Sequence, residues 1–148
     1  MSMETIFSFS SLLVMPFWLL MIFLPRWRVT QRLMTGTWVV IPAALLYLVL
    51  ILPNFGTIFL TVLNPTLAGV IDLLGTPTGA TIGWVHFLAF DLFVGRWIYL
   101  ESGKKNIPAW IISPILFFVL MLGPVGFLLY LGVQTAVLHY NSNLDDKI

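Results

Sequence analysis

Four stretches of this chain run almost without charge for the length of a membrane crossing. That constrains its fold more than any other feature. A bilayer core of ~30 Å needs ~20 mostly apolar residues per helix. The first stretch runs from about Ile6 to Leu24 and stops at Pro25-Arg26. The second runs from about Trp38 to Leu52 and stops at Pro53-Asn54; it is short, and Pro42 lies within it. The third runs from about Ala80 to Leu100 and stops at Glu101-Ser102-Gly103. The fourth begins near Pro108 and continues to His139, too long for one straight span, with Gly123-Pro124 in its middle.

Composition points the same way. Of 148 residues, 59% are hydrophobic and 9% charged, with a mean hydropathy of +1.01. Soluble domains carry roughly 25% charged residues, and disorder needs low hydrophobicity with high charge. Both classes are excluded. The expected fold is an all-α membrane protein, a four-transmembrane-helix bundle forming one domain over residues 1–148. Seven basic and six acidic residues leave no surface for nucleic acid. The absence of cysteine excludes disulfides, thiolate metal sites and cysteine nucleophiles. No metal site and no cofactor are expected.

The first stretch lacks the basic n-region of a signal peptide, since Glu4 is the only charge before it. It is read as a retained span, and no transit extension precedes it. Orientation follows from short-loop Lys and Arg, which stay inside. Arg26, Arg28 and Arg32 follow the first span, and Lys104 and Lys105 follow the third. The connection from Pro53 to Gly79 has no basic residue. Both termini are therefore expected outside, on the lumenal or periplasmic side. Trp27, Trp38, Trp97, Tyr99 and Trp110 fall at the inner helix ends, where amphipathic rings settle. The outer connection carries its own signal. Asn64-Pro65 reads as an N-cap with proline at the first helical position. Leu67, Val70, Ile71 and Leu74 then form one stripe, predicting an interfacial helix over 65–74 that shields the bundle or lids a pocket open to lipid.

Ionisable groups at bilayer depth cost ~2.5–3.5 kcal/mol each on insertion scales, and mark function by default. The third span holds His86, Asp91 and Arg96. Asp91 is near its midpoint, with Arg96 ~7 Å nearer the inside and His86 as far toward the outside. At ~100° per residue, Asp91 stands ~140° around the helix from both, so it pairs with neither. It needs another helix, a ligand or a proton. Arg96 also reads as a snorkelling anchor, and His86 as a donor to an interhelical carbonyl. Gly123-Pro124-Val125-Gly126 predicts a kink that frees the Leu120 carbonyl and lets a neighbour approach closely. Gly75, Gly79 and Gly83, with Pro77 among them, read as a turn. No phosphate-binding glycine loop or supported Ser-His-Asp spacing is present. His86 and His139 lie at different depths, which disfavours a two-histidine haem.

The run His86-Phe-Leu-Ala-Phe-Asp91-Leu-Phe-Val-Gly-Arg96, with the later Gly123-Pro124-Val-Gly126, resembles the small membrane proteins related to plant neoxanthin synthase, the abscisic-acid-deficient type. The resemblance extends over the four-span plan. It implies carotenoid chemistry in a photosynthetic membrane: epoxide-to-allene rearrangement of violaxanthin in one branch, trans/cis isomerisation of β-carotene in another. Without a transit extension the chain looks like a cyanobacterial member, in a thylakoid or plasma membrane. Epoxy-xanthophylls are mainly plant and algal products, so the expected activity is cofactor-independent isomerisation of a hydrocarbon carotenoid. Asp91 and His86 are the expected catalytic pair, as acid and base. Arg96, Phe87, Phe90, Trp97, Gly123 and Pro124 are the expected substrate-binding residues. The expected partners are the lipid bilayer and a carotenoid, and a second copy or another membrane protein fits the same plan. A pigment-binding or assembly subunit of a photosynthetic complex would use the aromatic residues without needing Asp91. A proton or ion carrier would need a polar path that one midplane charge does not supply.

Overall fold

The backbone polar groups of this chain are satisfied by helices wherever its sequence is apolar, as a bilayer demands. The computed structural model describes residues 2–145, with side chains through residue 139. Seven α-helices follow in order: α1 Met3–Phe23, α2 Arg28–Thr35, α3 Ile41–Ile51, α4 Phe55–Leu63, α5 Leu67–Leu74, α6 Pro77–Lys104 and α7 Ala109–Asp145. The described residues contain no strand. Four helical segments are long and apolar enough to cross a membrane: Met3–Phe23, Ile41–Leu63, Pro77–Lys104 and Ala109–His139. The large exposed side chains of these segments, such as Leu12, Phe23, Leu60 and Phe90, are apolar and suit contact with lipid.

Two units form. The first combines the chain up to Pro16 with Thr37–Phe90; the second combines Phe17–Gly36 with the chain from Asp91 onward. In the first, Leu50, Ile58, Ile82 and Val85 make a buried core, flanked by Ile6, Leu46, Tyr47 and Leu73. Its second span differs from the expected 38–52. Trp38 belongs to a short 3-10 turn before it, and the helix does not stop at Pro53-Asn54. A 3-10 turn over Leu52–Asn54 joins α3 to α4. Proline cannot donate there, and Asn54 Nδ2 reaches back to the Leu50 carbonyl at 3.4 Å. The apolar run thus continues to Leu63.

The short helix expected over 65–74 forms as α5, with a shifted start. Thr66, not Asn64, is its N-cap: the Thr66 hydroxyl accepts the Gly69 N–H at 3.1 Å. Asn64 instead ends α4. Its ψ of 74° lies outside the helical region, which proline disfavours in the residue before it. Only the Gly75-Thr76 part of the glycine run is a turn. Thr76 caps α6 by accepting the Gly79 N–H at 3.0 Å, with Pro77 at the first helical position. Gly79 lies in the opening turn of α6, where any Cβ would overlap the Leu73 carbonyl.

In the second unit Trp18, Met21, Leu92, Ile98, Leu116, Val119 and Tyr130 are fully buried. Gly95 admits the Trp18 ring, which a Cβ would strike. Ser113 Oγ donates to the Ile22 carbonyl at 2.7 Å. At the far end of α6, Asn106 takes a left-handed φ of 54°, and Ile107 N–H bonds the Ser102 carbonyl. This is a helix-ending motif that asparagine tolerates. One element of this unit was not expected. Residues 28–35, read as a basic loop, form α2, whose Thr30 and Met34 are buried.

Helix α7 departs furthest from the kinked span expected over 108–139. Its break is at Leu122, where φ is −143° and ψ 47°. The sequence predicts a kink from Pro124, and the observed bend is far sharper. In a straight helix Val119 and Gly126 would stand ~10 Å apart along the axis. Here a Cβ on Gly126 would overlap the backbone of Val119. The first arm starts beside Tyr99 and Ser102, where Ala109 and Ile112 share a cavity wall with them. At the bend Gly123 meets Asp91. The second arm then lays Phe127 and Tyr130 on the Trp97 ring, at centroid distances of 5.9 and 5.5 Å. Its heading is therefore back toward the Lys104 end of α6.

Gly126→Ala should destabilise the protein by ~1–3 kcal/mol, the usual cost of forced overpacking, because backbone is what must move. Gly132→Ala, with nothing within 4 Å of its Cβ, should be neutral or slightly stabilising. Thermal unfolding in a mild detergent compares the two.

Candidate functional site at mid-membrane

The second unit carries the one carboxyl group near the middle of a span. Asp91 stands fourteen residues from Pro77 and thirteen from Lys104 along α6. It is half-buried, between fully buried Leu92 and exposed Phe90. No described residue gives it a hydrogen bond or an ion pair. What stands against it is backbone: a Cβ at Gly123 would overlap Asp91 Oδ1. The broken helix α7 thus brings a side-chain-free backbone to the carboxyl group. The sequence showed the two glycines and the proline, and the carboxyl group, but not that they meet.

Pro124 is exposed beside Gly123. Trp97 is partly exposed and forms one side of an aromatic cluster with Phe127 and Tyr130. Tyr130 is a site residue that sequence reasoning missed. It is fully buried, and its hydroxyl has no partner among the described residues. A buried hydroxyl without a partner costs ~1–3 kcal/mol. The available signal was a single tyrosine inside an apolar run.

Arg96 is 8% exposed and is engaged by backbone. Its Nε donates to the Gly36 carbonyl at 3.2 Å and its Nη2 to the Thr35 carbonyl at 3.0 Å. These carbonyls end α2, where a cation favours the negative end of the helix dipole. Its long side chain thus fastens the end of α2 to α6.

His86 belongs to the first unit and has aromatic surroundings. Its ring lies 5.3 Å from Tyr47, 4.8 Å from Phe90 and 6.2 Å from Phe87. No carbonyl among the described residues accepts its N–H. Phe87 and Phe90 are 58% and 59% exposed, so they face outward as well. Tyr47 was also unforeseen; it lies in the second span, which was read only for length. Among the described residues, no three His, Cys, Asp or Glu side chains come together as a metal set.

Removing the Arg96 guanidinium tests its capping role. Arg96→Gln should cost ~1.5–3 kcal/mol, as for hydrogen bonds from a charged group. It should also speed tryptic cleavage after Arg28 and Arg32. Unchanged cleavage would show that α2 holds without it.

Residues 5–130 match the family described as ABA DEFICIENT 4-like. Within the matched span lie His86, Asp91, Arg96, Gly123, Pro124 and Tyr130. The chain is 25% identical over 109 residues to the protein ABA DEFICIENT 4, chloroplastic, of Arabidopsis thaliana, an alignment covering 70% of this chain and 49% of that protein. The chain therefore spans about half the length of this curated relative. No solved structure matches it. Sequence and helical plan together place the chain in the ABA DEFICIENT 4-like family of membrane proteins.

Proposed function

We propose that the protein is a carotenoid-processing membrane protein and that its activity is cofactor-independent trans/cis isomerisation of a hydrocarbon carotenoid such as β-carotene. The observation that carries this reading is Asp91: a mid-span carboxyl group with no hydrogen-bond or ion-pair partner among the described residues, set against the bare backbone of Gly123. Family membership supports the carotenoid class, and the aromatic side chains along α6 support an apolar, elongated ligand.

The chemistry needs the bond order of one double bond lowered for a moment. In its protonated form Asp91 transfers its proton to a polyene carbon. The π electrons form the new C–H bond, and the positive charge spreads along the remaining double bonds. Rotation is then easy about the former double bond. The Asp91 carboxylate stabilises the cation as fixed charge in a water-poor site. It then takes the same proton back, and the double bond re-forms in the other geometry. Atoms and electrons balance with no oxidant or reductant. Trp97, Phe87 and Phe90 offer ring faces along the polyene, and Gly123-Pro124 closes one side of the carboxyl group with bare backbone. Arg96 holds the inner end in place through α2. In the epoxide branch of this chemistry the same acid opens the ring, and His86 is the base that removes the adjacent proton.

Asp91→Asn keeps shape and hydrogen bonding but cannot transfer the proton. It should still insert and bind pigment, while isomerisation of all-trans β-carotene, followed by chromatography in detergent, falls ~10²–10⁴-fold. Full activity would sink the mechanism. Bound pigment without turnover in the unaltered protein would favour a pigment-binding subunit. Loss of folding together with pigment would make Asp91 structural.

The location that fits is a photosynthetic membrane, with Arg26, Arg28, Arg32, Lys104 and Lys105 on its inner face. The heading of the second arm of α7 supports placing its end on that same face, in place of the outer C-terminus expected from four full crossings. Single cysteines report this in a chain that has none. Thr30 is fully buried and a poor probe. Arg32→Cys, Lys104→Cys and Thr135→Cys should all react with an impermeant maleimide from the inner face only. Labelling of Thr135→Cys from the opposite face to Lys104→Cys would restore the four full crossings.

A further inference from the structure

The inner end of the second unit holds a cavity of about 560 Å³ that the chemistry at Asp91 does not use. It lies where two apolar helices stop, beside Pro25 after α1 and Ser102-Gly103 near the end of α6. By that position it sits at the membrane–water boundary. Its wall is of two kinds. Ile107 and Ile112 make an apolar floor, and Arg26, Gln31 and Asn106 bring polar heads.

The other polar groups of the wall are already committed. Tyr99 OH donates to the Pro25 carbonyl, Ser102 Oγ to the Tyr99 carbonyl, and Thr35 Oγ1 to the Arg32 carbonyl. The Arg26 guanidinium and the Gln31 and Asn106 carboxamides have no hydrogen bond or ion pair with another described residue. No acidic side chain lines the cavity. The acid closest in sequence, Glu101, is held by Lys104 and Lys105. Arg28 and Arg32 on α2 add further positive charge nearby. The site thus presents one uncompensated cation and two amide donors above an apolar floor. That combination asks for a small anion with several acceptor oxygens and a greasy root. Basic pockets at the inner ends of membrane helices recognise lipid headgroups in this way, and the volume falls within the ~300–1,000 Å³ of ligand pockets.

We propose that this cavity is a headgroup site for an anionic phospholipid. Arg26, Gln31 and Asn106 hold the phosphate, and Ile107 and Ile112 receive the first methylenes of the acyl chains. The proposal is independent of the carotenoid reading.

The test uses the full chain, purified in a neutral maltoside detergent and titrated while its unfolding temperature is followed. The probes are phosphatidylglycerol, phosphatidylcholine and inorganic phosphate at matched ionic strength. Phosphatidylglycerol should stabilise saturably, with little effect from the other two. Arg26→Gln should weaken its apparent affinity about tenfold or more, as for a lost charge-assisted hydrogen bond. Arg28→Gln, whose side chain does not line the cavity, should weaken it less than twofold. Asn106→Gly removes one donor at a φ that glycine adopts freely, so it reports on the site even if Arg26→Gln folds poorly, and it should lose several-fold. Equal losses in Arg26→Gln and Arg28→Gln would reduce the effect to diffuse charge and overturn the proposal. So would unchanged affinity in Asn106→Gly. Stabilisation by inorganic phosphate alone, dependent on Arg26, would make the site a phosphate site and overturn the lipid assignment.

Discussion

In hydrocarbon no water completes a broken hydrogen bond, so each interruption of a helix must be repaired by the protein itself. The rest of this structure depends on that constraint. At Pro53 the repair is local: the chain tightens to a 3-10 turn and Asn54 returns an amide hydrogen to the Leu50 carbonyl. The apolar segment keeps its course. At Leu122 the repair is different in kind, since the helix changes direction and restarts. The bend requires two residues without side chains. Gly126 clears the backbone of Val119, and Gly123 clears the Asp91 carboxyl group.

Those two glycines link fold to chemistry. A carboxyl group alone among apolar side chains would ordinarily be paired or absent. Here its neighbour is a stretch of bare backbone, packed so closely that no side chain fits between them. The aromatic rings of Trp97, Phe127 and Tyr130 pack a short distance away, toward the inner end of α6. The carboxyl group and the aromatic cluster thus come from one pair of elements in one unit.

Much of this was legible in the sequence because apolar length and charge placement are one-dimensional signals. The four candidate spans, the short helix between the second and third, and the positions of His86, Asp91 and Arg96 along α6 all follow from counting along the chain. What could not be counted was partnership. Residues 28–35 carry two arginines and too few apolar residues for a span, so their helix shows only once Thr30 and Met34 find a surface to bury against. Arg96 reads as an anchor in any apolar helix, and only the fold supplies the carbonyls of Thr35 and Gly36 as its acceptors. Pro53 looks like a stop because proline usually is one; the Asn54 side chain that bridges it sits in the next position. Pro124 announced a kink, but its angle depends on Gly126 and Val119 fitting together, a three-dimensional fact.

The grip of Arg96 on α2 has a consequence for membranes of different thickness. An apolar helix such as α6, 28 residues long, would otherwise meet a thinner or thicker bilayer by sliding or tilting. Arg96 instead ties a fixed point of α6 to an interface-hugging element rich in arginine, and five residues of rigid helix set Asp91 ~7.5 Å deeper. When the bilayer thins, the lipid must then deform around this tied end while the carboxyl group keeps its distance from α2. Hydrophobic mismatch then falls on the Pro77 end of α6, away from Asp91.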